Sequence, residues 1–308
     1  MIRIFTRKCS RCYFLINKLY MWIHLLTLSR RVFKNYLSSS LQYFIFKRLF
    51  PHLNIRVKCR DNSVVSLNVN EYYTLLVNLR IGSVIDYSCR DNVVVLFNDL
   101  KIPLRELLEI DPRALLLGWR YNDNGFWELG DIKIKHPSTT VIEVFNFRQY
   151  ARLKHVEGII VDIGAGVGDS VIYFILRGAK RVIALEPNVK YYYEMLENIK
   201  LNNIEENRVV ALNKAANSQT LLELVSNYEI TSGVLKIDCE GCEYTVLINT
   251  PIETLRHFRE IIVEYHGTPQ PLVKKLIDSG FKVVVEKPWT FIKDKELIPV
   301  GFIHAEIS

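Results

Sequence analysis

Residues 158–170 read GIIVDIGAGVGDS, and this stretch decides the fold of the C-terminal half of the chain. The apolar run that leads into Asp162 is typical of a fully buried strand, and the run after Asp169 is typical of a helix. Glycines between a strand and a helix allow a tight turn and let a ligand approach the backbone. The stretch therefore predicts a strand, a ligand-binding turn and a helix in succession.

The same alternation continues to the end of the chain. Strands are predicted at 158–163, 181–185, 209–212, 234–237, 260–264, 281–285 and 302–305, and helices at 169–177, 189–201, 242–248 and 271–279. Strand–helix alternation at this spacing gives βαβ units with right-handed crossovers. We therefore predict an α/β domain at 141–308 with a doubly wound, mostly parallel, seven-stranded Rossmann-like sheet. One of the last two strands should be antiparallel, because no helix separates them.

Positive charge is concentrated at the N-terminus. The 308-residue chain has a net charge of +7, but residues 1–50 hold ten Lys or Arg and no Asp or Glu. The remainder carries more acidic than basic residues, so we expect no nucleic-acid groove in the catalytic domain. We interpret residues 1–50 as a basic, aromatic, helical segment. For its apolar stretch 13–29, an interfacial helix, a helix packed on the body and a membrane span stay open, although about 20 residues are needed to span.

Residues 51–140 are predicted to form a small α+β domain. The sequence Cys-Arg-Asp-Asn at 59–62 recurs at 89–92, each time between β-branched runs. Asn and Asp tolerate turn dihedrals, so each copy predicts a β-hairpin. Duplication and chance similarity both explain the recurrence.

Six cysteines lie at positions 9, 12, 59, 89, 239 and 242. They do not form the dense framework of a small secreted domain, which predicts reduced thiols and a cytoplasmic protein, with peripheral membrane association through residues 1–50 as a hypothesis. The pairs 9/12 and 239/242 have C-x-x-C spacing, but the second lies within a motif of another kind. We therefore predict no metal site.

The glycine turn discriminates between two cofactors. A dinucleotide site has a third glycine where this chain has Asp169, and a carboxylate there would repel a pyrophosphate. S-adenosylmethionine carries a sulfonium and an ammonium instead, and Asp162 could receive the ammonium directly or through water. The pattern D-x-G-x-G-x-G therefore favours S-adenosylmethionine. A nicotinamide-dependent oxidoreductase and a non-catalytic nucleoside-binding module remain the alternatives.

A second acid supports a nucleoside site. Glu186 ends the next predicted strand, at the place where an acid accepts hydrogen bonds from ribose hydroxyls. The predicted cofactor-binding residues are Asp162, Gly164, Ala165, Gly166, Gly168, Glu186, Pro187 and Asn188.

Two further runs follow predicted strands, at 235–243 (LKIDCEGCE) and 263–267 (VEYHG). The carboxyl ends of parallel strands form the ligand-binding edge of an open sheet. Asp238 and Glu240 could orient or deprotonate an acceptor hydroxyl, and His266 could serve as a base. These three are the predicted catalytic residues, whereas we interpret Glu243 as an acid at a helix start.

Six segments in order carry a resemblance to a known family. They are 162–170, 184–188, Asn198 with 201–202, 215–216, 235–243 and 263–266, and K-I-D-x-E-G-x-E is the most specific. Over about 145–285 the chain resembles the FkbM family of methyltransferases, although it has Gly166 where many members carry Asn.

The resemblance implies a class I methyltransferase fold, S-adenosylmethionine as cofactor and methyl transfer to a hydroxyl oxygen. It implies cofactor contacts for Asp162, Gly164 and Glu186, and it places Asp238 and Glu240 beside the acceptor. The expected partner is a small-molecule or glycan acceptor, such as a sugar or a lipid-linked compound, and not a nucleic acid.

Overall fold

The computed structural model describes residues 22–122, 124–293 and 296–307. The chain divides into two compact units. Among the described residues, the first comprises those up to Trp127 with His136–Ser138, and the second comprises Glu128–Lys135 with those from Thr139 onward. The described part of the predicted segment 1–50 thus belongs to the same unit as most of the predicted domain 51–140.

The first unit contains four helices and six strands among its described residues. The helices are α1 (22–32), α2 (Tyr36–Leu49), α3 (Val69–Ile81) and α4 (Leu104–Glu109), and the strands are β1 (Ile55–Lys58), β2 (Val64–Leu67), β3 (Val84–Ser88), β4 (Val93–Leu96), β5 (Lys101–Pro103) and β6 (Arg120–Asn122). None of the described helices is long and apolar enough to cross a membrane. Of the apolar stretch at 13–29, residues 13–21 lie outside the described residues and residues 22–29 belong to α1.

The two repeated sequences form the predicted hairpins. Strands β1 and β2 pair antiparallel, as do β3 and β4. Asn62 (φ 71°) and Asn92 (φ 53°) both adopt the left-handed conformation, which asparagine tolerates better than most residues. A disulfide joins Cys59 to Cys89, which occupy matching positions in the two hairpins.

The prediction of reduced thiols is wrong for the four cysteines that the structure describes. Besides Cys59–Cys89, a second disulfide joins Cys239 to Cys242. Sequence spacing could not reveal the first bond, because its partners are brought together only when two hairpins pack. Cys9 and Cys12 lie outside the described residues.

The second unit contains a mixed main sheet and two strands outside that sheet, β7 (Phe126–Leu129, which contains the division between the units) and β8 (Ile132–Ile134). The strands of the main sheet are β9 (Ile159–Ile163), β10 (Arg181–Leu185), β11 (Val209–Leu212), β12 (Gly233–Ile237), β13 (Phe258–His266), β14 (Phe281–Val285), β15 (Trp289–Lys293) and β16 (Glu296–Ile307). Its helices are α5 (Thr139–Phe145), α6 (Asp169–Leu176), α7 (Val189–Leu201), α8 (Ser218–Asn227), α9 (Cys242–Asn249), α10 (Ile252–Leu255) and α11 (Gln270–Asp278), with a 3-10 turn at Glu206–Arg208.

The main sheet has the order β11-β10-β9-β12-β13-β16-β14, and β15 pairs with β16. Strands β9 to β13 are parallel, and β16 is antiparallel to β13, β14 and β15. The predicted doubly wound, mostly parallel sheet is confirmed, including one antiparallel strand near its end. The predicted number of seven strands is wrong, because β16 is much longer than the predicted 302–305 and pairs with an eighth strand that we did not predict.

Helices cover both faces of this sheet. Leu221 of α8, Val246 of α9 and Leu272 of α11 pack in one apolar core with alternate strand residues. Phe174 of α6 and Met195 of α7 pack in a second core on the opposite face. Parallel strands must be buried on both faces, which explains why their sequences read as continuous apolar runs.

Asn198 of α7 and Asn202, the residue directly after that helix, contact β8 and the residue that follows it. Asn202 accepts a hydrogen bond from Lys133 N (3.0 Å) and donates to its carbonyl (2.6 Å), and Asn198 accepts from Lys135 N (2.7 Å). Asn198 also donates to the carbonyl of Val167 in the glycine turn (2.8 Å). These contacts lie within the second unit, which includes residues 128–135. The boundary after residue 140 stays a prediction.

Removing the hairpin disulfide should destabilise the first unit. A cross-link between residues 30 apart lowers the conformational entropy of the unfolded chain. This effect stabilises the folded state by about 3.5 kcal/mol. We expect the Cys59→Ser, Cys89→Ser variant to lose about that much, measured by denaturant unfolding with the fluorescence of the buried Trp119 and Trp127 as probe. The Cys239→Ser, Cys242→Ser variant is the control and should lose much less in this signal, and equal losses would contradict the assignment.

Candidate cofactor and acceptor site

The predicted site lies where the strand order of the sheet reverses. Strand β9 lies between β10 and β12, so the connections that leave β9 and β12 diverge at their carboxyl ends. Open α/β sheets bind ligands in the crevice that forms there. The glycine turn at 164–168 follows β9, and Asp238 follows β12.

The three glycines of the turn are required to different degrees. Gly164, Gly166 and Gly168 all have positive φ, at 77°, 52° and 85°. A Cβ on Gly164 would lie 1.7 Å from the carbonyl oxygen of Asp238, and one on Gly168 would lie 2.8 Å from Met195 Cγ. At Gly166 the nearest atom would be 3.8 Å away. Position 166 therefore needs only a residue that tolerates left-handed backbone, such as Gly or Asn.

The backbone amides of the glycine turn are engaged by the protein itself. Gly164 N and Ala165 N donate to the carbonyl of Leu185 (2.9 and 3.0 Å). Gly168 N donates to the carbonyl of Ala165 (2.8 Å), and Gly166 N donates to a carboxylate, Oε2 of Glu186 (2.9 Å). A pyrophosphate site of the dinucleotide type needs such amides for the phosphates. Here the four amides of Gly164, Ala165, Gly166 and Gly168 are already used.

A buried ion pair lies beneath the turn. Lys236 Nζ is 2.9 Å from Asp162 Oδ1 and donates to the carbonyl of Gly164 (2.6 Å), while Ser170 Oγ donates to Asp162 Oδ2 (2.6 Å). The side chain of Asp162 is not exposed at all, and that of Lys236 is 2% exposed. Burial alone would lower the pKa of Lys236, but the charge of Asp162 and neighbouring carboxylates raises it. Asp162 therefore positions the turn, and a direct contact with a ligand stays a prediction.

Glu186 connects the segments that follow β9 and β10. Besides Gly166 N, its carboxylate accepts a hydrogen bond from Asn188 N at Oε1 (2.7 Å). Asn188 in turn caps α7 through hydrogen bonds from Lys190 N and Tyr191 N. Burial raises the pKa of Glu186. Each carboxylate oxygen keeps a second lone pair, so the group can still accept a ribose hydroxyl. Pro187 and Asn188 are exposed beside it.

Asp169, at the start of α6, is a second buried acid near the turn. It is 5% exposed, and burial raises its pKa to about 7, although the charge of Lys236 opposes this rise. The charges of Asp162 and Asp238 raise the pKa further. This acid therefore titrates near neutrality.

The acceptor side brings two carboxylates and an imidazole together. One ligand-type atom from each of Asp238, Glu264 and His266 lies within 4.8 Å of the other two, close enough to share one cation. Burial and the charge of the neighbouring Asp238 raise the pKa of Glu264, which favours its protonated form. The phenol of buried Tyr150 lies 3.5 Å from Asp238 Oδ2, and burial keeps it neutral by raising its pKa.

Glu243 positions His266. Its carboxylate is wholly buried and accepts hydrogen bonds from Gly241 N at Oε2 (2.7 Å) and from His266 N at Oε1 (2.9 Å). His266 Nδ1 lies 3.4 Å from the same Oε1, and this contact raises the pKa of the imidazole. We had interpreted Glu243 as an acid at the start of α9. It is there, but it also connects α9 to the end of β13.

The structure gathers most of the predicted residues and adds others. Asp238 and His266 lie together, whereas Glu240 lies exposed on the following turn with φ 50° and is not part of that cluster. The sequence analysis missed Lys236, Glu264 and Tyr150. Glu264 could have been found, because residues two apart on a strand share a face and it therefore faces the same way as His266.

Comparison with known proteins gives fold neighbours but no family. No protein-family profile matches the chain. The uncharacterized protein 158B of Sulfolobus islandicus rod-shaped virus 1 is 29% identical over 147 residues, which cover 46% of this chain and 84% of that protein.

Three solved structures illustrate the fold likeness. M. capricolum TrmK in complex with S-adenosyl-homocysteine has a TM-score of 0.38 and 20% identity, covering 53% of this chain and 69% of its own. A tRNA methyltransferase of M. jannaschii has a TM-score of 0.41 and 12% identity, covering 59% and 56%. The complex of aTrm5 with tRNALeu has a TM-score of 0.41 and 14% identity, covering 59% and 52%. At such values the likeness assigns no substrate to this chain.

The comparisons correct the predicted partners. We expected a small-molecule or glycan acceptor, no nucleic acid in the catalytic domain and a membrane contact through residues 1–50. The neighbours instead include tRNA methyltransferases, and one is bound to tRNA. That partner prediction is wrong on this comparison and is not carried further. S-adenosyl-homocysteine in a neighbour agrees with the predicted cofactor.

The different requirements at the glycines can be tested by substitution. Gly164→Ala places a methyl group against the backbone of Asp238, and we expect it to lower the free energy of unfolding by about 3 kcal/mol or more. Gly166→Asn has space and a tolerant residue, so it should cost at most about 1 kcal/mol. Denaturant unfolding of both variants measures the difference. Similar losses would show that the close approach of Gly164 to Asp238 is not needed.

Proposed function

We propose that the second unit is an S-adenosylmethionine-dependent methyltransferase. The observation that carries this proposal is an excess of buried negative charge at the glycine turn. Asp162, Asp169 and Glu186 are all buried there. Of the residues whose burial the structure describes, Lys236 is the only buried lysine or arginine. One ammonium faces three carboxylates.

This imbalance favours a cationic ligand. Burial and nearby carboxylates raise the pKa of an acid when no counter-charge is present, and burial raises the pKa values of both Asp169 and Glu186. A sulfonium and an ammonium would supply the missing positive charge, whereas a pyrophosphate would add to the repulsion. The engaged amides of the glycine turn likewise disfavour a nicotinamide dinucleotide.

The acceptor side supports transfer to an atom that carries a proton. Such an atom, for which we propose a hydroxyl oxygen, must lose its proton as it is methylated. Asp238 and His266 lie where they can accept it, and protonated Glu264 can donate a hydrogen bond within the same cluster. Bound cofactor supplies the electrophilic methyl group. The residues contribute by holding the acceptor atom in line with it.

Ligand titration tests the proposal. Calorimetry should show binding of S-adenosylmethionine and S-adenosyl-homocysteine and none of NAD. Transfer of a labelled methyl group should then be measured on a panel that begins with tRNA and includes nucleosides and small hydroxyl compounds. Binding of NAD alone would identify an oxidoreductase site, and cofactor binding without transfer to any acceptor would favour a non-catalytic nucleoside-binding module.

Glu186 should control cofactor affinity. Glu186→Gln removes a charge-assisted acceptor for the ribose and for Gly166 N, so we expect the Kd for S-adenosylmethionine to rise about 10- to 100-fold. Glu205→Gln, an exposed acid of the same unit, is the matched control and should leave the Kd unchanged. An unaltered Kd in Glu186→Gln would mean that the nucleoside does not lie against this acid.

Cofactor affinity should depend on pH through Asp169. Its pKa in the free protein is about 7, and a cationic ligand favours the ionised form. The Kd for S-adenosylmethionine should therefore be lowest above pH 7 and rise by up to about tenfold per pH unit as the pH falls below 7. Calorimetric titration between pH 5.5 and 8.5 measures this. Asp169→Asn should remove the dependence, whereas Asp278→Asn, at an exposed position of α11, should keep it. A pH-independent Kd in the unaltered protein would contradict the role of Asp169.

A further inference from the structure

The disulfide between Cys239 and Cys242 closes the turn that joins the two halves of the site. It begins one residue after Asp238, and Cys242 is the first residue of α9. Between the cysteines, Glu240 (φ 50°) and Gly241 (φ 125°) both have positive φ. A ring this short holds two successive residues in conformations that an open chain would seldom keep. The turn between β12 and α9 is therefore fixed covalently.

The same turn contacts the cofactor side. A Cβ on Gly164 would meet the carbonyl oxygen of Asp238 and, at 3.3 Å, Cα of Cys239. Asp238 N also donates to the carbonyl of Ile163, the last residue of β9. The backbone at Asp238 and Cys239 thus supports the first glycine of the turn directly, and displacement on one side must displace the other.

The turn also contacts the acceptor side. Gly241 N donates to Glu243 Oε2, and the other oxygen of Glu243 holds the backbone and the ring of His266. Cys239 Sγ lies 3.7 Å from the same Oε2 that holds Gly241 N. Once reduced, the Cys239 thiol can donate to the second lone pair of this oxygen and draw the carboxylate toward Cys239. Opening the bond therefore changes the contacts of the carboxylate that positions His266.

The two disulfides differ in accessibility. Cys239 and Cys242 are partly exposed, and Glu240 and Gly241 between them are exposed. Cys59 and Cys89 are 3% and 4% exposed. A thiolate attacks a disulfide only along an open approach, so a soluble dithiol should reach the 239–242 bond first.

We propose that Cys239 and Cys242 form a redox-active pair that controls the methyltransferase site, an inference that rests on the function proposed above. The oxidised form holds the Asp238 backbone against Gly164 and keeps Glu243 on His266. Reduction releases the turn, weakens cofactor binding and displaces His266. The position of Cys242 also favours this exchange. It is the first residue of α9, and a helix N-terminus stabilises a thiolate.

The exchange is balanced with a dithiol as the reductant. One thiolate of the dithiol attacks Cys239 Sγ, the Cys239–Cys242 bond breaks, and Cys242 leaves as a thiolate at the start of α9. The second thiolate of the dithiol then attacks the dithiol's own first sulfur, which is now bonded to Cys239 Sγ. This step releases the Cys239 thiolate and leaves the reductant as a cyclic disulfide. Two electrons pass to the protein, and its two sulfurs take up protons according to their pKa values.

The test uses the full chain equilibrated with graded ratios of reduced and oxidised dithiothreitol. Alkylation of free thiols followed by peptide mass spectrometry reports each pair separately. We expect 239–242 to open at ratios that leave 59–89 closed. Over the same ratios the Kd for S-adenosylmethionine should rise about fivefold or more, and amide hydrogen exchange at Gly241 and His266 should accelerate.

Variants separate the two disulfides. Cys239→Ser, Cys242→Ser should show the weaker affinity with and without dithiol, and Cys59→Ser, Cys89→Ser should keep the response. If the latter variant does not fold, the alkylation and exchange data on the unaltered protein decide. The inference is overturned if the 239–242 bond resists the dithiol as long as 59–89 does, or if it opens with no change in Kd and in amide exchange.

Failure of the proposed function would be recognised separately. In that case S-adenosylmethionine would bind in neither redox state. Accelerated exchange at Gly241 and His266 on reduction would still support a redox-controlled turn, and unchanged exchange would overturn it.

Discussion

The ion pair between Lys236 and Asp162 is the contact on which the site depends. These residues are neighbours in the register of β12 and β9, the two strands at which the sheet order reverses. Lys236 also holds the carbonyl of Gly164, and Ser170 of α6 holds the other oxygen of Asp162. One buried pair thus connects two strands, the glycine turn and the following helix. Desolvating two charges is costly, and the mutual attraction of the pair and the hydrogen bonds at Gly164 and Ser170 offset this cost.

This pair leaves the site negative. Lys236 neutralises one carboxylate, while Asp169 and Glu186 remain buried nearby with raised pKa values. Perturbed acids of this kind are typical of functional sites, because a ligand supplies what the protein lacks. The same charge pattern that weakens the empty site would therefore select a cationic ligand. The buried carboxylates that would favour a cationic ligand therefore also lower the stability of the empty site.

The two halves of the site are mechanically coupled. Gly164 has no side chain because the backbone of Asp238 occupies that space, and Glu243 connects the next helix to His266. Such close packing transmits small displacements, since interiors have little free volume. The Cys239–Cys242 disulfide lies in the segment that connects these two contacts.

The sequence by itself determined the α/β alternation of the second unit. It placed Arg181–Leu185, Val189–Leu201, Val209–Leu212 and Phe281–Val285 with the bounds that the structure has. It also located the glycine turn, Glu186, Asp238 and His266, and it predicted both hairpins of the first unit. Local sequence patterns predict these features, namely apolar periodicity, turn residues and the residues at strand ends.

Only the tertiary structure decided which side chains meet. Lys236 reads as one more strand residue until β12 is placed beside β9, and Tyr150 lies far from Asp238 in sequence. The pairing of Cys59 with Cys89, the eighth strand and the position of Glu240 outside the cluster likewise follow from packing. Such contacts join residues that are distant along the chain, and no local pattern encodes the distance between them.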